Sequence, residues 1–398
     1  VDIRELKKAV EQHGSIRAAA RAIGMAESTL RDRLSGVPAR GVKQAEPESP
    51  GVTRADELES ELRTLRAQMA ATKREMLDEE FVKRRILKLA EAHIEPPKWL
   101  VSARPSKKSP GVPTLFASDL HWGEVVDSSQ IGGVNEYDMA IANKRIRRMV
   151  EVAIDLLNNH MVNPEYPGIV FALGGDMVSG GIHEELMATD EHEIMAVVLD
   201  LFGALTWCIN TLADRFGRVF VPCVTGNHGR NTHKIRAKGR NYTSFDWLLY
   251  CFLAKRFEDD KRISFLIPNG PDALYKIYDH RYLLTHGDQF RGGDGMIGAL
   301  GPIIRGDHKK RSRQTQIGAS YDTMLLGHWH QLIQLQRLIV NGSLKGYDEY
   351  AYSNNFGYEP PRQALWLTHP TQGITFSMPV NVDEPRKVES TAWVSWAA

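Results

Sequence analysis

Five short apolar runs in this chain each end in residues that ligate metals, and this pattern constrains the fold more than any other feature. The runs are residues 114–118, 169–173, 219–224, 282–285 and 324–326. Their ends carry Asp119-Leu120-His121, Gly175-Asp176, Gly226-Asn227-His228, His286-Gly287-Asp288 and Gly327-His328-Trp329-His330. Runs of this length, rich in β-branched and other apolar residues, predict buried strands. The polar sets therefore fall where strands pass into loops, the place where α/β layered folds build binding sites.

Carboxylates, imidazoles and one amide oxygen suit a divalent transition metal such as Mn²⁺, Fe²⁺ or Zn²⁺. There are too many donors for one ion, and Asp176 is placed to bridge two. Two metals roughly 3.5–4 Å apart can clamp a phosphoryl group and generate a hydroxide nucleophile near neutral pH.

The ordered series D-x-H, G-D, G-N-H, H, G-H-x-H resembles the calcineurin-like metallophosphoesterase family over about residues 112–380. The resemblance implies a four-layer α/β/β/α domain, two packed β-sheets flanked by helices. It implies that Asp119, His121, Asp176 and His330 hold one metal and that Asp176, Asn227, His286 and His328 hold the other. The pair is expected to be Mn²⁺, with Fe²⁺, Zn²⁺, Ni²⁺ or Mg²⁺ as alternatives. His228 is then not a ligand; it lies by the substrate phosphate, stabilising charge or protonating the leaving oxygen, and the bridging Asp176 is the other residue expected to act in catalysis. The chain departs from the family at one place. An acidic residue usually follows the G-N-H histidine, and here Gly229 and Arg230 follow it. Either another carboxylate partners His228, or Arg230 reads substrate phosphate directly.

A domain of that size occupies about two thirds of the 398 residues, so further units are expected. Lys plus Arg number 50 against 49 Asp plus Glu, so any affinity for nucleic acid must come from local patches and not from net charge. No apolar run approaches the roughly 20 residues that cross a bilayer, and no membrane partner is expected. The first residues, Val1-Asp2-Ile3-Arg4-Glu5, offer no apolar signal region, and a start on Val1 is expected from processing or trimming. Cys208, Cys223 and Cys251 show no C-x-x-C spacing and read as buried thiols, which fits a cytoplasmic, reducing compartment.

Residues 1–36 read as three short helices with Gly14-Ser15 and Gly24-Met25 at the turns, a helix-turn-helix pattern. The stretch 14–30 resembles DNA-binding modules of the Fis and resolvase kind. The resemblance implies that the third helix presents Ser28, Thr29, Arg31 and Arg33 to DNA. Residues 1–45 hold nine Lys/Arg against five Asp/Glu, which suits a phosphate-facing surface. A small protein-docking module is the alternative, and Glu27 and Asp32 oppose phosphate.

Residues 37–53 read as a linker rich in Pro and Gly. Asp56 with Glu59 makes a capping-box pattern, and Leu58, Leu62, Leu65, Met69 and Met76 follow a heptad seam. A long helix is expected over 54–95, pairing two chains through residues 54–93 or lying on its own catalytic domain. A second linker follows over 96–111, then the catalytic domain over 112–383 and a tail over 384–398.

Within the catalytic domain, helices are predicted over 139–159 and 197–216, and later strands over 364–368 and 374–378. His183, Glu184, Glu185 and His192 could add to the site but read more simply as a solvated helix start. The loop after G-N-H carries Arg230, Asn231, His233 and Lys234, then Arg236, Lys238 and Arg240. Because this loop leaves the metal motif directly, its charge predicts a polyanionic substrate, with the first four residues contacting it. A second basic run, 309–313, is expected to form with Arg291 another strip along the cleft, or else a mobile surface loop.

These features support a two-metal phosphodiesterase, first of all a DNA nuclease with an attached DNA-binding module. The whole arrangement resembles proteins encoded by bacteriophages and prophages, which implies a host cytoplasm. A phosphatase or small-nucleotide phosphodiesterase uses the same motifs. A non-enzymatic DNA-binding protein that keeps its metal site for structure is the reading from another class.

Overall fold

The computed structural model describes residues 3–35, 110–161, 164–182, 184–291 and 300–384, with Arg63, Arg66, Pro97, Leu100 and Gly298. The chain divides into two units, Val1–Leu77 and Asp78–Ala398.

The first unit contains α1 (Ile3–His13), α2 (Ile16–Ala22) and α3 (Glu27–Leu34). Ser15 caps α2, its hydroxyl accepting from Ala18 N at 3.2 Å. Leu6, Ala19, Ala20 and Leu30 are buried together, and the two alanines let the helices approach closely. The expected long helix over 54–95 and its pairing surface lie outside the described residues, apart from Arg63 and Arg66, which are helical.

The second unit runs β1 (Val112–Ala117), α4 (Met139–Asn158), β2 (Ile169–Leu173), α5 (Glu184–Thr189), α6 (Ile194–Phe216), β3 (Val219–Pro222), α7 (Phe245–Arg256) and β4 (Ile263–Leu266). It continues with β5 (Asp272–Ile277), β6 (His280–Thr285), α8 (Leu300–Gln316), β7 (Thr323–Leu326), β8 (Ile333–Leu335), β9 (Leu338–Val340), α9 (Glu349–Ser353), β10 (Arg362–His369) and β11 (Gly373–Asn381).

Two sheets result. One has the strand order β11-β10-β1-β2-β3-β4, and the other β5-β6-β7-β9-β8. The strands β1 to β4 are mutually parallel, joined by helical crossovers, while β10 and β11 close one edge antiparallel.

The pleat sorts side chains into layers. In β1, Leu115 and Ala117 face a core shared with α4, α6 and α7, while Val112 and Phe116 enter a second core between the sheets. β2 repeats the division, with Ile169, Phe171 and Leu173 on the helical side and Val170 and Ala172 between the sheets. In β7, Leu325 joins the inter-sheet core, whereas Met324 and Leu326 pack outward with Ile303 of α8. Helix, sheet, sheet, helix is therefore the layer order. A strand in the middle of such a stack is buried on both faces, which is why the runs are continuously apolar.

Two expectations need correction. α6 spans 23 residues with a mean hydropathy of 1.7 over its most apolar stretch, so a run long and apolar enough to cross a bilayer does exist. In the fold it packs Val198, Leu201, Leu205, Ile209 and Leu212 into the helical core, and Trp122 donates to its Asp200 at 2.8 Å. Charged and polar residues interspersed along the helix hid its length from a reading of consecutive apolar positions. The second basic run is the other correction: 309–313 is not a surface loop but the C-terminal half of α8. Gly301 and Gly306 weaken its helical signal, while Ile303, Lys310 and Gln314 bury one face. All three cysteines are free and buried.

Candidate metal centre

The carboxyl ends of β1, β2, β3, β6 and β7 meet along one rim, so five separate loops deliver their polar residues to one place. Three groups of donor atoms form, each within 4.8 Å: Asp119, His121 and His330; His121, Asp176 and His228; Asp176, His286 and His328. The first group holds three of the four residues expected at one metal and the last holds three of the four expected at the other, while Asp176 belongs to the last group and to the middle one with His121.

The geometry fits a cation pair. His121 Nε2 and His330 Nε2 face each other at 3.1 Å. His286 Nδ1 lies 2.8 Å from Gly174 O. A carbonyl only accepts, so Nδ1 carries a proton, and Nε2 is the ring nitrogen turned toward Asp176 Oδ2, 2.9 Å away. Asn227 Oδ1 is buried without a hydrogen-bond partner. Two wholly buried carboxylates, four inward imidazoles and an unsatisfied amide oxygen are the donor set of a dinuclear divalent site. Asp119, His121, Asp176, Asn227, His286, His328 and His330 would hold the two ions.

Electrostatics follow from that crowding. Burial alone would push Asp176 up, but the surrounding imidazoles, His286 first, hold it well below the usual carboxylate range. Burial would likewise lower His286, and Asp176 beside it raises it to about 10. A proton on His286 and a divalent cation are thus alternative ways to balance the same two carboxylates.

Backbone strain marks the same residues. Among the described residues, non-glycine positions with positive φ are Asp119, His121, Asp176, Tyr278, His328, His330 and Asn355, and five of these seven are candidate ligands. Each left-handed residue costs about 1–3 kcal/mol, so the surrounding packing must hold them. Ser118 Oγ donates to Asp119 Oδ2 at 2.5 Å, and Asn341 Nδ2 donates to Ser118 Oγ at 3.0 Å. Asp119 Oδ1 accepts from His328 N at 2.8 Å, and Asp176 Oδ1 from His228 N at 2.7 Å. The motif glycines make room for these carboxylates. A Cβ at Gly226 would stand 2.0 Å from Asp176 Oδ1, and one at Gly327 would stand 2.3 Å from Asp119 Oδ2.

His228 lies in the cleft but turns its Nδ1 to Ser179 O at 2.9 Å, a carbonyl and not a carboxylate. Burial holds its pKa down to about 3. The neutral ring with Nδ1 protonated presents Nε2 as an acceptor, so protonating a leaving oxygen requires the imidazolium form.

Arg230 lies close enough to Asp176 and Asp288 to feel their charge. Its guanidinium donates to Asn227 O at 2.7 Å, Thr232 O at 3.0 Å and His233 O at 3.4 Å, bracing the loop. Asn231, His233 and Lys234 are exposed on that loop. Arg240 further along holds Asp288 by two bonds of 2.9 and 3.0 Å, tying the G-N-H loop to the His286 loop. His183 lies outside the described residues, and His192 is exposed. In the separate N-terminal unit, Ser28, Thr29, Arg31 and Arg33 are exposed on α3, with Arg31 paired to Glu27 at 2.9 Å.

Three supporting residues escape a motif search. Asp246, fully buried on α7, accepts from Asp176 N, Met177 N and Gly226 N at 3.1, 3.3 and 2.9 Å. Glu124 turns Oε2 toward His121 Nδ1 at 3.2 Å, and buried Lys345 holds Glu124 at 2.6 Å. A lone Asp in an apolar helix was the available signal for Asp246; nothing in the local sequence marked the other two.

No family model matches the chain, and no curated protein matches it. Solved structures of similar fold include a single mutant of Vps29 from Entamoeba histolytica, at 14% identity over 67% of this chain and 98% of that one, TM-score 0.28. A predicted phosphoesterase from Streptococcus pneumoniae matches at 9% identity over 67% and 96%, TM-score 0.25. Vacuolar protein sorting 29 from Cryptosporidium parvum matches at 11% over 64% and 84%, TM-score 0.26. Likenesses this distant decide nothing about chemistry, and the donor geometry stands on its own.

Proposed function

We propose that this chain is a two-metal-dependent phosphodiesterase of the calcineurin-like kind and that DNA is its substrate. The observation that carries the reading is the run of three donor groups, linked first by His121 and then by Asp176. Bound divalent ions, Mn²⁺ foremost, would supply Lewis acidity and charge neutralisation at the phosphoryl oxygens.

The chain's own residues do the rest. Asp119 and Asp176 set the negative charge that recruits the cations, and their backbone and glycine contacts fix its position. His228 reaches the cleft from the G-N-H loop, where an incoming phosphate raises its basicity and makes it a partner for the phosphoryl or leaving oxygen. The exposed residues Asn231, His233 and Lys234 extend from that loop toward a polyanion.

DNA is favoured over a small phosphate ester by the exposed Ser28, Thr29, Arg31 and Arg33 on a compact three-helix unit. The test is hydrolysis in Mn²⁺ of labelled linear and circular DNA beside bis-p-nitrophenyl phosphate. Cleavage of DNA that a chelator stops supports the reading. Hydrolysis of the small diester alone assigns the site another substrate and leaves the N-terminal unit a localising role.

A further inference from the structure

Each polar group of Ser179 engages a different segment of the chain. Its N–H donates to Trp122 O at 3.0 Å, its hydroxyl donates to Asp190 Oδ1 at 2.8 Å, and its carbonyl faces His228 Nδ1 at 2.9 Å. We propose that Ser179, held by Asp190, is a positioning residue that fixes the ring of His228, a role for which Gly229 after the histidine has no side chain. The inference rests on the phosphodiesterase reading and deepens it, because it says what sets the tautomer and aim of the histidine that meets the substrate.

Backbone pairing brings Ser179 to this place. Past the ends of β1 and β2, His121 N donates to Asp176 O and Trp122 N to Met177 O, both at 3.1 Å, before Ser179 N meets Trp122 O. The strand pairing thus continues into both ligand loops and seats Ser179, fully buried, beside the G-N-H turn. Gly180 then turns the chain with a φ of 70°, and a Cβ there would stand 2.1 Å from His228 O. Only a residue without a side chain lets the two loops lie this close.

Asp190 is itself anchored. Its N–H donates to Leu186 O at 2.8 Å, and the N–H of Glu191 donates to Gly123 O at 2.8 Å. Glu191 Oε2 also accepts from Met139 N at 2.8 Å, where α4 begins. The Asp190 carboxylate therefore meets the Ser179 hydroxyl from a segment tied to the β1 loop and to α4. With N–H and hydroxyl both bonded, Ser179 is restrained from swinging its carbonyl away from the ring. A carbonyl only accepts, so it selects the ring form with Nδ1 protonated and leaves the Nε2 lone pair for the phosphoryl group or its leaving oxygen. The His228 ring also stands edge to face against His121, with centroids 4.5 Å apart. A small rotation of the ring would therefore change what Nε2 meets.

The test uses the full chain with Ser179→Ala, with Asp190→Ala and with both, and takes Asp190→Asn as the variant that keeps an acceptor. Long-range nitrogen–proton correlation spectra of histidine-labelled protein in chelator, at a pH where the ring is neutral, report the tautomer of His228. Its signals are assigned by their loss in His228→Gln. Wild type and Asp190→Asn should show the form protonated on Nδ1, and each alanine variant a mixture with the other tautomer. In Mn²⁺, kcat on bis-p-nitrophenyl phosphate should fall about tenfold in each alanine variant with KM nearly unchanged, a part of what one positioned acid or base supplies. The double variant should lose no more than either single one, because both cut the same link. Mn²⁺ affinity by calorimetry should stay at the wild-type value, since neither side chain bonds to a candidate ligand. A tautomer unchanged in both alanine variants overturns the proposal, as does an unchanged kcat or a loss of Mn²⁺ affinity that matches the loss of kcat. If wild type does not hydrolyse the diester, the phosphodiesterase reading fails, and the spectra alone uphold or overturn the positioning.

Discussion

Asp246 fills the space that a side chain at position 229 would need, with its Oδ1 2.6 Å from where a Cβ on Gly229 would stand. The same carboxylate accepts backbone N–H groups from both the Asp176 loop and the Gly226 loop. A carboxylate from helix α7 therefore occupies the place next to the G-N-H histidine where the sequence offers only glycine. Asp246→Ala would strand three buried donors, each costing roughly 1–3 kcal/mol. Urea unfolding should show a loss of about 3 kcal/mol or more. Gly229→Ala should also destabilise, by about 1–3 kcal/mol, through overpacking against Asp246. Midpoints equal to wild type would remove Asp246 from its structural role.

Lys345 is 3% exposed and joins two buried carboxylates, Glu124 at 2.6 Å and Asp348 at 2.5 Å. Replacing it with methionine keeps the volume and leaves both carboxylates buried without their cation. The expected loss is about 3–5 kcal/mol. Because Glu124 also faces His121, the variant should bind Mn²⁺ more weakly by calorimetry. A variant as stable as wild type would show that the network is dispensable.

Asp190 accepts from Ser179 Oγ at 2.8 Å, and burial pushes its pKa up from 3.8 to about 7. Between these values the unfolded chain releases the proton first, so the folded state binds more protons and loses stability as pH rises. The penalty is absent below about pH 4 and complete above about pH 7. Asp190→Asn keeps an acceptor for Ser179 without the charge. It should melt higher than wild type at pH 8, and the gap should close toward pH 5. A constant difference across that range would contradict the assignment.

Much of the site was legible because strand burial and ligand chemistry write separate signals. Ile169–Leu173 is apolar throughout because it lies between two layers, and Asp176 must follow it in a loop. The same holds for β1 with Asp119 and His121, and for β7 with His328 and His330. Less legible were residues that act from elsewhere in the chain. Asp246 lies 70 residues from Asp176, on a helix whose apolar residues give no clear face. The positive φ of His121 or His330 follows from how loops from two sheets meet, and an imidazole carries no mark of it. The basic face of α8 was visible as charge but not as helix, since Gly306 interrupts the pattern that would have ordered it.

Asp176 is the residue that we propose joins two cation sites into one phosphodiesterase centre. The most direct test is Mn²⁺-dependent hydrolysis of bis-p-nitrophenyl phosphate by wild type and by Asp176→Asn. Asp176 lies 2.9 Å from His286 Nε2 and belongs to a donor group with His121 and to another with His328, so one substitution disturbs both sites. Wild type should turn the diester over, a chelator should abolish that turnover and Mn²⁺ should restore it. Asp176→Asn, folded by circular dichroism, should lose at least about 2.7 kcal/mol of transition-state stabilisation, a hundredfold in rate. Turnover by Asp176→Asn within a few-fold of wild type, or wild-type turnover indifferent to chelation, would contradict it.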